Sequence, residues 1–302
     1  MNTKIKLFKK KEKDDSRNLI KKTAAFKAFF AVIFSALVIH SILLIYPFVW
    51  LVLNSLKTSY EYISTSSLLP PSKWMFSNYI EVFSMFEVKG VGFIEMTWNS
   101  IWWSVGNTVI GLFASSIVAY TVARYEFRGR NIVWGLIMLT MMIPLYGSGA
   151  AGYKQLFTLG LYDNPLILIK SAGGYGGFEF LMMHAFFKSL PKDYSDAAEL
   201  DGAGQFYTFL IIMLPMALAP IMALAVKSFI TTWNSYMVGI ISMPSYPLLS
   251  TGLYLYEQAM KIGMNYPIYF CGAVICTIPV IVLFCCFQDV FLQNMSMGGL
   301  KG

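Results

Sequence analysis

Residues 28–53 run for 26 positions without an Asp, Glu, Lys or Arg. A helix crossing the roughly 30 Å hydrocarbon core of a bilayer needs about 20 such residues. In lipid the backbone must satisfy its own hydrogen bonds, so a single crossing segment of this kind is a helix. The run also exceeds the apolar core of a secretory signal, and a long polar tail precedes it, so a cleaved leader is not expected. Further apolar runs follow at 101–123, 132–146, 164–187, 206–232 and 266–287. Hydrophobic residues make up 57% of the chain and charged residues 13%, a balance that leaves a soluble domain too little polar surface. The expected fold class is an all-α polytopic membrane protein with six transmembrane helices. It divides into a basic tail (1–27), a six-span domain (28–290) and a short C-terminal tail (291–302), with no internal repeat or separate soluble domain evident.

Charge distribution sets the orientation. Of the 23 Lys and Arg, ten lie between Lys4 and Lys27, ahead of the first span. Such a cluster marks the cytoplasmic side, which explains the net charge of +7 without nucleic acid. With the N-terminus inside, the inner segments hold 16 Lys and Arg and the outer loops five, while Lys170 and Lys227 fall in spans. Both termini are therefore expected in the cytoplasm, and so are the basic loop 124–131 and the polar segment 193–204. The loops 54–99, 147–163 and 233–265 are expected outside. The four cysteines, Cys271, Cys276, Cys285 and Cys286, lie in or at the end of the last span. Their spacing fits neither a disulfide framework nor a zinc site, so they read as small buried hydrophobes.

Within the spans a few positions stand out. Gly111, Ser115, Ala119 and Ala123 recur every four residues, and Asn107 continues the row. A stripe of small residues lets another helix approach closely in lipid. Trp98, Trp102 and Trp103 form an aromatic belt at the outer end of the second span. The fourth run is broken by a glycine-rich stretch, 171–177. Irregular backbone at membrane depth is tolerated where it lines a cavity or is covered by protein, so the break reads equally as a solute path or a reshaped outer loop. Pro215 and Pro220 are expected to bend the fifth span. Ionisable groups in spans pair or face the interior, which singles out Lys170 and Glu179. His40 reads as an interhelical contact.

Within the C-terminal two thirds of the chain, the one polar segment of any length opens the stretch 193–215, which turns apolar from Phe206. Asp193 is a plausible N-cap with Asp196 three residues on, a variant of the capping box. Ala197, Ala198, Glu199 and Leu200 favour a helix, and Asp201-Gly202 offers a left-handed stop. Two adjacent alanines leave a low surface for another protein. The chemistry of catalysis is missing: there is no P-loop, no His-Glu-x-x-His and no nucleophile elbow. The chain reads as a conduit, not an enzyme, and no metal site is evident.

Asp196-Ala197-Ala198, then Asp201-Gly202-Ala203, then Ile212-Met213-Leu214-Pro215 resemble the EAA loop of bacterial ABC-importer permeases, with Asp196 in place of the usual Glu. Further segments resemble the carbohydrate, maltose-permease-like group: Ala119-Tyr120 to Ala123-Arg124, Phe127-Arg128-Gly129, Gly160 to Asn164, Phe186-Phe187 with Leu190-Pro191, Trp233-Asn234, Ile278-Pro279 and Gly299 to Gly302. The resemblance covers roughly residues 45–302. It implies the ABC type I importer permease fold in the bacterial plasma (inner) membrane. It implies sugar or oligosaccharide import by alternating access, with the 193–215 loop as the coupling element and Asp196, Ala197, Ala198, Glu199, Asp201, Gly202, Ala203 and Pro215 as its residues. The implied partners are a cytoplasmic ATP-binding subunit dimer that carries the ATP and Mg, a second homologous permease, an extracellular solute-binding protein and membrane lipid. Sugar sites favour aromatic rings stacked on sugar faces plus amide and hydroxyl hydrogen bonds. The candidates along the solute path are Asn107, Tyr120, Tyr175, Glu179, Trp233, Asn234 and Tyr236. Two alternatives stand beside this reading: a permease for a non-sugar solute, and a stand-alone secondary transporter, which has no reason to carry such a loop. On the coupling reading, Gly202→Asp is expected to abolish uptake.

Overall fold

The computed structural model describes residues 24–143, 148–174, 176–259 and 265–297. The chain divides into two units, Met1–Leu53 and Asn54–Gly302. The described residues of the first form helix α1 (Ala24–Ser55), which is apolar on every side, carries Pro47 and ends two residues beyond the unit. Its Ser41 hydroxyl donates to the Leu37 carbonyl at 2.8 Å, so this polar group is satisfied inside the helix.

The second unit is built around α4 (Phe93–Arg124). Before it come α2 (Ser59–Ser64), α3 (Asn78–Met85) and a small antiparallel hairpin, β1 (Glu87–Val88) with β2 (Val91–Gly92). After it come α5 (Arg130–Met142), α6 (Ser148–Thr158), a 3-10 segment (Pro165–Gly174), α7 (Phe178–Ser189), α8 (Asp193–Leu200) and α9 (Gln205–Met216). The chain continues through α10 (Leu218–Trp233), α11 (Tyr236–Ile241), α12 (Leu249–Ala259) and α13 (Tyr266–Met297).

The small stripe of α4 does what its spacing predicts. Ser115, Ala119 and Ala123 are buried, Ala119 completely, and α4 packs mainly on α7, α10 and the 3-10 segment. Small side chains let these backbones approach where lipid provides no hydrophobic drive of its own. On the same helix, a Cβ at Gly106 would meet the Leu168 side chain at 2.7 Å. Around this axis lie Tyr120, Phe180, Met183, Phe187, Phe209 and Met213. A second cluster joins Phe86, Phe93, Trp233 and Ile268, and a third joins Trp103, Leu156, Ile167 and Leu248.

Among the described residues, three helices are long and apolar enough to cross a membrane: Phe26–Ser55, Phe93–Arg124 and Tyr266–Gln288. The pair Gln205–Met216 and Leu218–Trp233, bent by 76°, makes up to four. The bend falls two residues after Pro215, and a π-helical stretch, Thr208–Met213, precedes it. A proline removes a backbone donor and clashes with the preceding turn, so the expected bend is present and sharp. Helix α5 is only 13 residues long, and residues 144–147 of the expected third span lie outside the described residues. The expected fourth run is indeed broken, into the 3-10 segment and α7.

Several expected loops contain regular structure. The segment 54–99 carries α2, α3, the hairpin and the start of α4, eight residues before the apolar run begins. Segment 147–163 carries α6, and segment 233–265 carries α11 and α12. These helices are short, and they form because tertiary contacts and local hydrogen bonds supply what apolar periodicity does not. Buried Asn78 donates to the Ser55 and Lys57 carbonyls at 2.8 Å each. Glu61 accepts from the Ser72 backbone N–H and hydroxyl at 2.6 and 2.7 Å, which holds its carboxyl below the usual carboxylate range. At the other end of the chain, α13 continues to Met297, through the first residues of the expected tail.

Candidate functional site

The polar segment folds into α8 and a tight exit. Asp193 is the first helical residue and not the N-cap, which is Lys192 without a side-chain cap. Asp193 and Asp196 lie in the first turn, where carboxylates interact favourably with the helix dipole. The C-terminus is a Schellman motif. Gly202 N–H donates to the Glu199 carbonyl at 3.0 Å and Ala203 N–H to the Ala198 carbonyl at 2.9 Å. Gly202 has φ +77°, in the left-handed region that a residue without Cβ enters freely.

The two alanines have different surroundings. Ala198 is buried at 4% exposure and faces the chain's own following segment, which α8 contacts through the Thr208–Met213 stretch. Ala197 is exposed, as are Asp196, Glu199, Asp201 and Gly202. Tyr194, Ala197 and Leu200 follow one another at helical spacing on one side, with Leu200 89% exposed. Just beyond the turn, Phe206 and Tyr207 are also exposed. Arg124, the last residue of α4, donates from Nη2 to the Pro191 carbonyl at 3.0 Å, tying this segment to the central helix. A cavity of about 300 Å³ lies beside α8, lined by Arg124, Lys192, Asp196, Glu199 and Gln205 among others. Pro215 is exposed at the bend.

Two polar pairs in the apolar layer join neighbouring elements. Lys227 Nζ of α10 lies 2.7 Å from Glu179 Oε1 of α7 and 4.9 Å from the Phe178 ring centroid. The Ser171 hydroxyl donates to Asn107 Oδ1 at 2.7 Å, joining the 3-10 segment to α4. Glu179 and Asn107 are thus both at inter-helix contacts around the break. Tyr120 and Trp233 are packed: Tyr120 is 4% exposed among Phe187, Phe209 and Tyr125. Trp233 is 2% exposed and donates its indole N–H to the Cys276 carbonyl at 3.0 Å. Asn234 is exposed and bonds back to the Ile230 carbonyl at 2.9 Å. Tyr236 stacks on Tyr254 with ring centroids 4.4 Å apart. Tyr175 lies outside the described residues. The candidates therefore do not converge on one pocket.

Sequence reading missed one polar junction. Asp163, at φ +52°, accepts from the Ser245 backbone N–H at 2.8 Å and from its hydroxyl at 2.6 Å. Its own N–H donates to the Ser242 carbonyl at 2.9 Å. The signal was present in the turn Gly160-Leu161-Tyr162-Asp163-Asn164, where an Asp suits a left-handed position. The junction fastens the segment after α6 to the one after α11. Beside it opens a cavity of about 830 Å³ lined by Gly152, Tyr153, Tyr162, Lys170, Met237 and Ile241 among others.

Long apolar helices, a bent and broken pair, and an exposed short helix set between them are the features of a polytopic membrane protein. The comparisons agree. A family profile described as "Binding-protein-dependent transport system inner membrane component" matches residues 108–297. The chain is 30% identical to the arabinooligosaccharides transport system permease protein AraQ of Bacillus subtilis over 266 residues, covering 87% of this chain and 92% of the relative. It is 28% identical to the diacetylchitobiose uptake system permease protein NgcG of Streptomyces coelicolor, covering 91% and 90%. Its fold matches a chain of a bacterial ABC transporter involved in the import of the acidic polysaccharide alginate, with a TM-score of 0.74 at 20% identity, over 89% of this chain and 99% of that one. The chain belongs to the family of inner membrane components of binding-protein-dependent transport systems.

Proposed function

We propose that this chain is one of two permease subunits of an ATP-driven importer that carries an oligosaccharide across the bacterial plasma membrane. The observation that carries the mechanism is α8, an exposed apolar face (Tyr194, Ala197, Leu200) on a short helix ended by a rigid turn. An unpartnered face of this kind on a membrane protein suits a soluble partner. In this reading α8 docks on a cytoplasmic ATP-binding subunit dimer, which holds the ATP and Mg and does the hydrolysis. Closure of that dimer moves α8. The movement passes through the Gly202 turn into α9 and α10 and through Pro191 into α4, shifting the population between inward-open and outward-open states.

The same reading takes the chain as six spans with both termini in the cytoplasm, α5 and α7 completing short or broken crossings. Family membership supports the ATPase, a second permease and an extracellular solute-binding protein as partners. An oligosaccharide cargo is supported by relatives named for arabinooligosaccharides and diacetylchitobiose, each aligned over most of both chains. Purification from membranes should bring down an ATPase and a second permease with this chain. Reconstituted with the binding protein, the complex is expected to hydrolyse ATP faster when oligosaccharides are added. Stimulation by a non-sugar solute alone would replace the sugar reading, and uptake without any ATPase would remove the importer reading.

A further inference from the structure

Lys170 is the charge that the paired network leaves over. In the apolar layer Glu179 and Lys227 neutralise each other at 2.7 Å, whereas among the described residues no carboxylate pairs with Lys170. An ammonium in an apolar segment either pairs or faces an aqueous path. Lys170 lies near the end of the Pro165–Gly174 segment and lines the cavity of about 830 Å³ between that segment, α6 and α11. The opposite wall is low where the lysine reaches it: Gly149, Ala150 and Gly152 line it, and a Cβ on Gly152 would come 3.9 Å from the Lys170 Nζ. Tyr153 and Tyr162 contribute aromatic rings to the lining, 5.5 Å apart and edge to face, and Met237, Val238 and Ile241 contribute apolar surface. Among the described residues, Lys170 is the only charged side chain in that lining.

We propose that this cavity is a solute subsite on the outer side of the permease, and that Lys170 makes it select for oligosaccharides carrying a carboxylate, such as uronate-containing sugars. The proposal rests on the importer reading above and names its substrate class. The volume is of the size of ligand pockets that take small organic molecules. Aromatic rings and aliphatic walls suit the apolar faces of pyranose rings. The one cation, on an exposed lysine at the open cavity, supplies a charge-assisted hydrogen bond for a carboxylate. The Asp163–Ser245 junction fixes the two sides of the cavity relative to each other, so the lysine meets a preformed site.

The test uses the complete importer, with its binding protein, in proteoliposomes. Uptake of a digalacturonate and of a neutral disaccharide is compared for wild type, Lys170→Met and Lys170→Arg. Wild type is expected to take up the acidic sugar. Lys170→Met is expected to lower acidic uptake about tenfold, equivalent to about 1.4 kcal/mol, with neutral uptake unchanged, and Lys170→Arg to keep most of it. Equal loss of both sugars in Lys170→Met would overturn the proposal, since it would mean that the lysine serves lipid headgroups or the binding protein. Uptake of the neutral sugar alone by wild type would overturn it while leaving the carbohydrate reading intact. Failure of every sugar to be taken up would overturn both.

Discussion

Replacing Gly202 by Val is expected to lower uptake at least tenfold while the permease still inserts and assembles. The left-handed conformation costs an ordinary L-residue about 1–2 kcal/mol, and for a β-branched one it is a genuine outlier. At 1.4 kcal/mol per factor of ten, that strain is enough to depopulate the turn. Space is not the issue, because a Cβ at Gly202 meets nothing within 4 Å. The penalty is therefore conformational, and Gly202→Asn should retain most transport, since Asn tolerates this region. The open space also refines the expectation for Gly202→Asp, whose short side chain is likewise tolerated at positive φ. Its effect should come from the charge added beside Asp201 on the docking surface, not from a broken turn. Uptake and ATP hydrolysis measured together separate these cases. Valine should leave basal hydrolysis in the partner but remove its stimulation by cargo.

Lys227→Met is expected to destabilise the permease by about 2 kcal/mol, because it leaves the Glu179 carboxylate without its partner in an apolar setting. Glu179 is 24% exposed and Lys227 51%. The penalty is therefore below the 3–5 kcal/mol of a fully buried broken pair, and the reverse change, Glu179→Gln, should cost about half as much. For a unit of this size, about 2 kcal/mol lowers the melting midpoint by roughly 4–8 °C. The double variant Glu179→Gln/Lys227→Met should recover most of that loss, a coupling typical of residues in direct contact. Melting in detergent measures it. A double variant that melts no higher than Lys227→Met would show that the pair contributes nothing as a pair.

Much of this architecture is legible in residue order because lipid imposes simple demands. A span must be long, apolar and internally hydrogen-bonded, so α1, α4 and α13 follow from run length alone. The Gly111–Ala123 stripe reads as packing because period and size are both visible, and Ser115, Ala119 and Ala123 are buried as that predicts. The Gly202 turn was legible because glycine is the residue that most readily takes the left-handed conformation a helix stop needs. The rest depends on partners distant in sequence. Apolar length gives no account of α3, which rests on the two hydrogen bonds of Asn78, or of α6 and α12. The Asp163–Ser245 junction spans 82 residues; the turn at Asp163 has a local pattern, but its partner does not. Trp233 and Tyr120 show the converse limit. An aromatic at the end of a span is compatible with a sugar platform, a membrane anchor or a core residue, and only packing decides that both are buried. Two adjacent alanines likewise suggest one docking surface, yet the helix turns Ala198 inward and leaves Ala197 outside.

That last distinction gives the sharpest test of the central claim, that α8 docks on the ATPase through its exposed face. With the native cysteines replaced, a single cysteine is placed at 197 or at 198 and another in the docking groove of the ATP-binding subunit, and disulfide formation is followed in the assembled complex. Ala197→Cys is expected to cross-link readily and to do so differently with and without ATP, while Ala198→Cys, facing the chain's own interior, should not. Cross-linking at neither position, or equally at both, would contradict the assignment of α8 as the coupling helix.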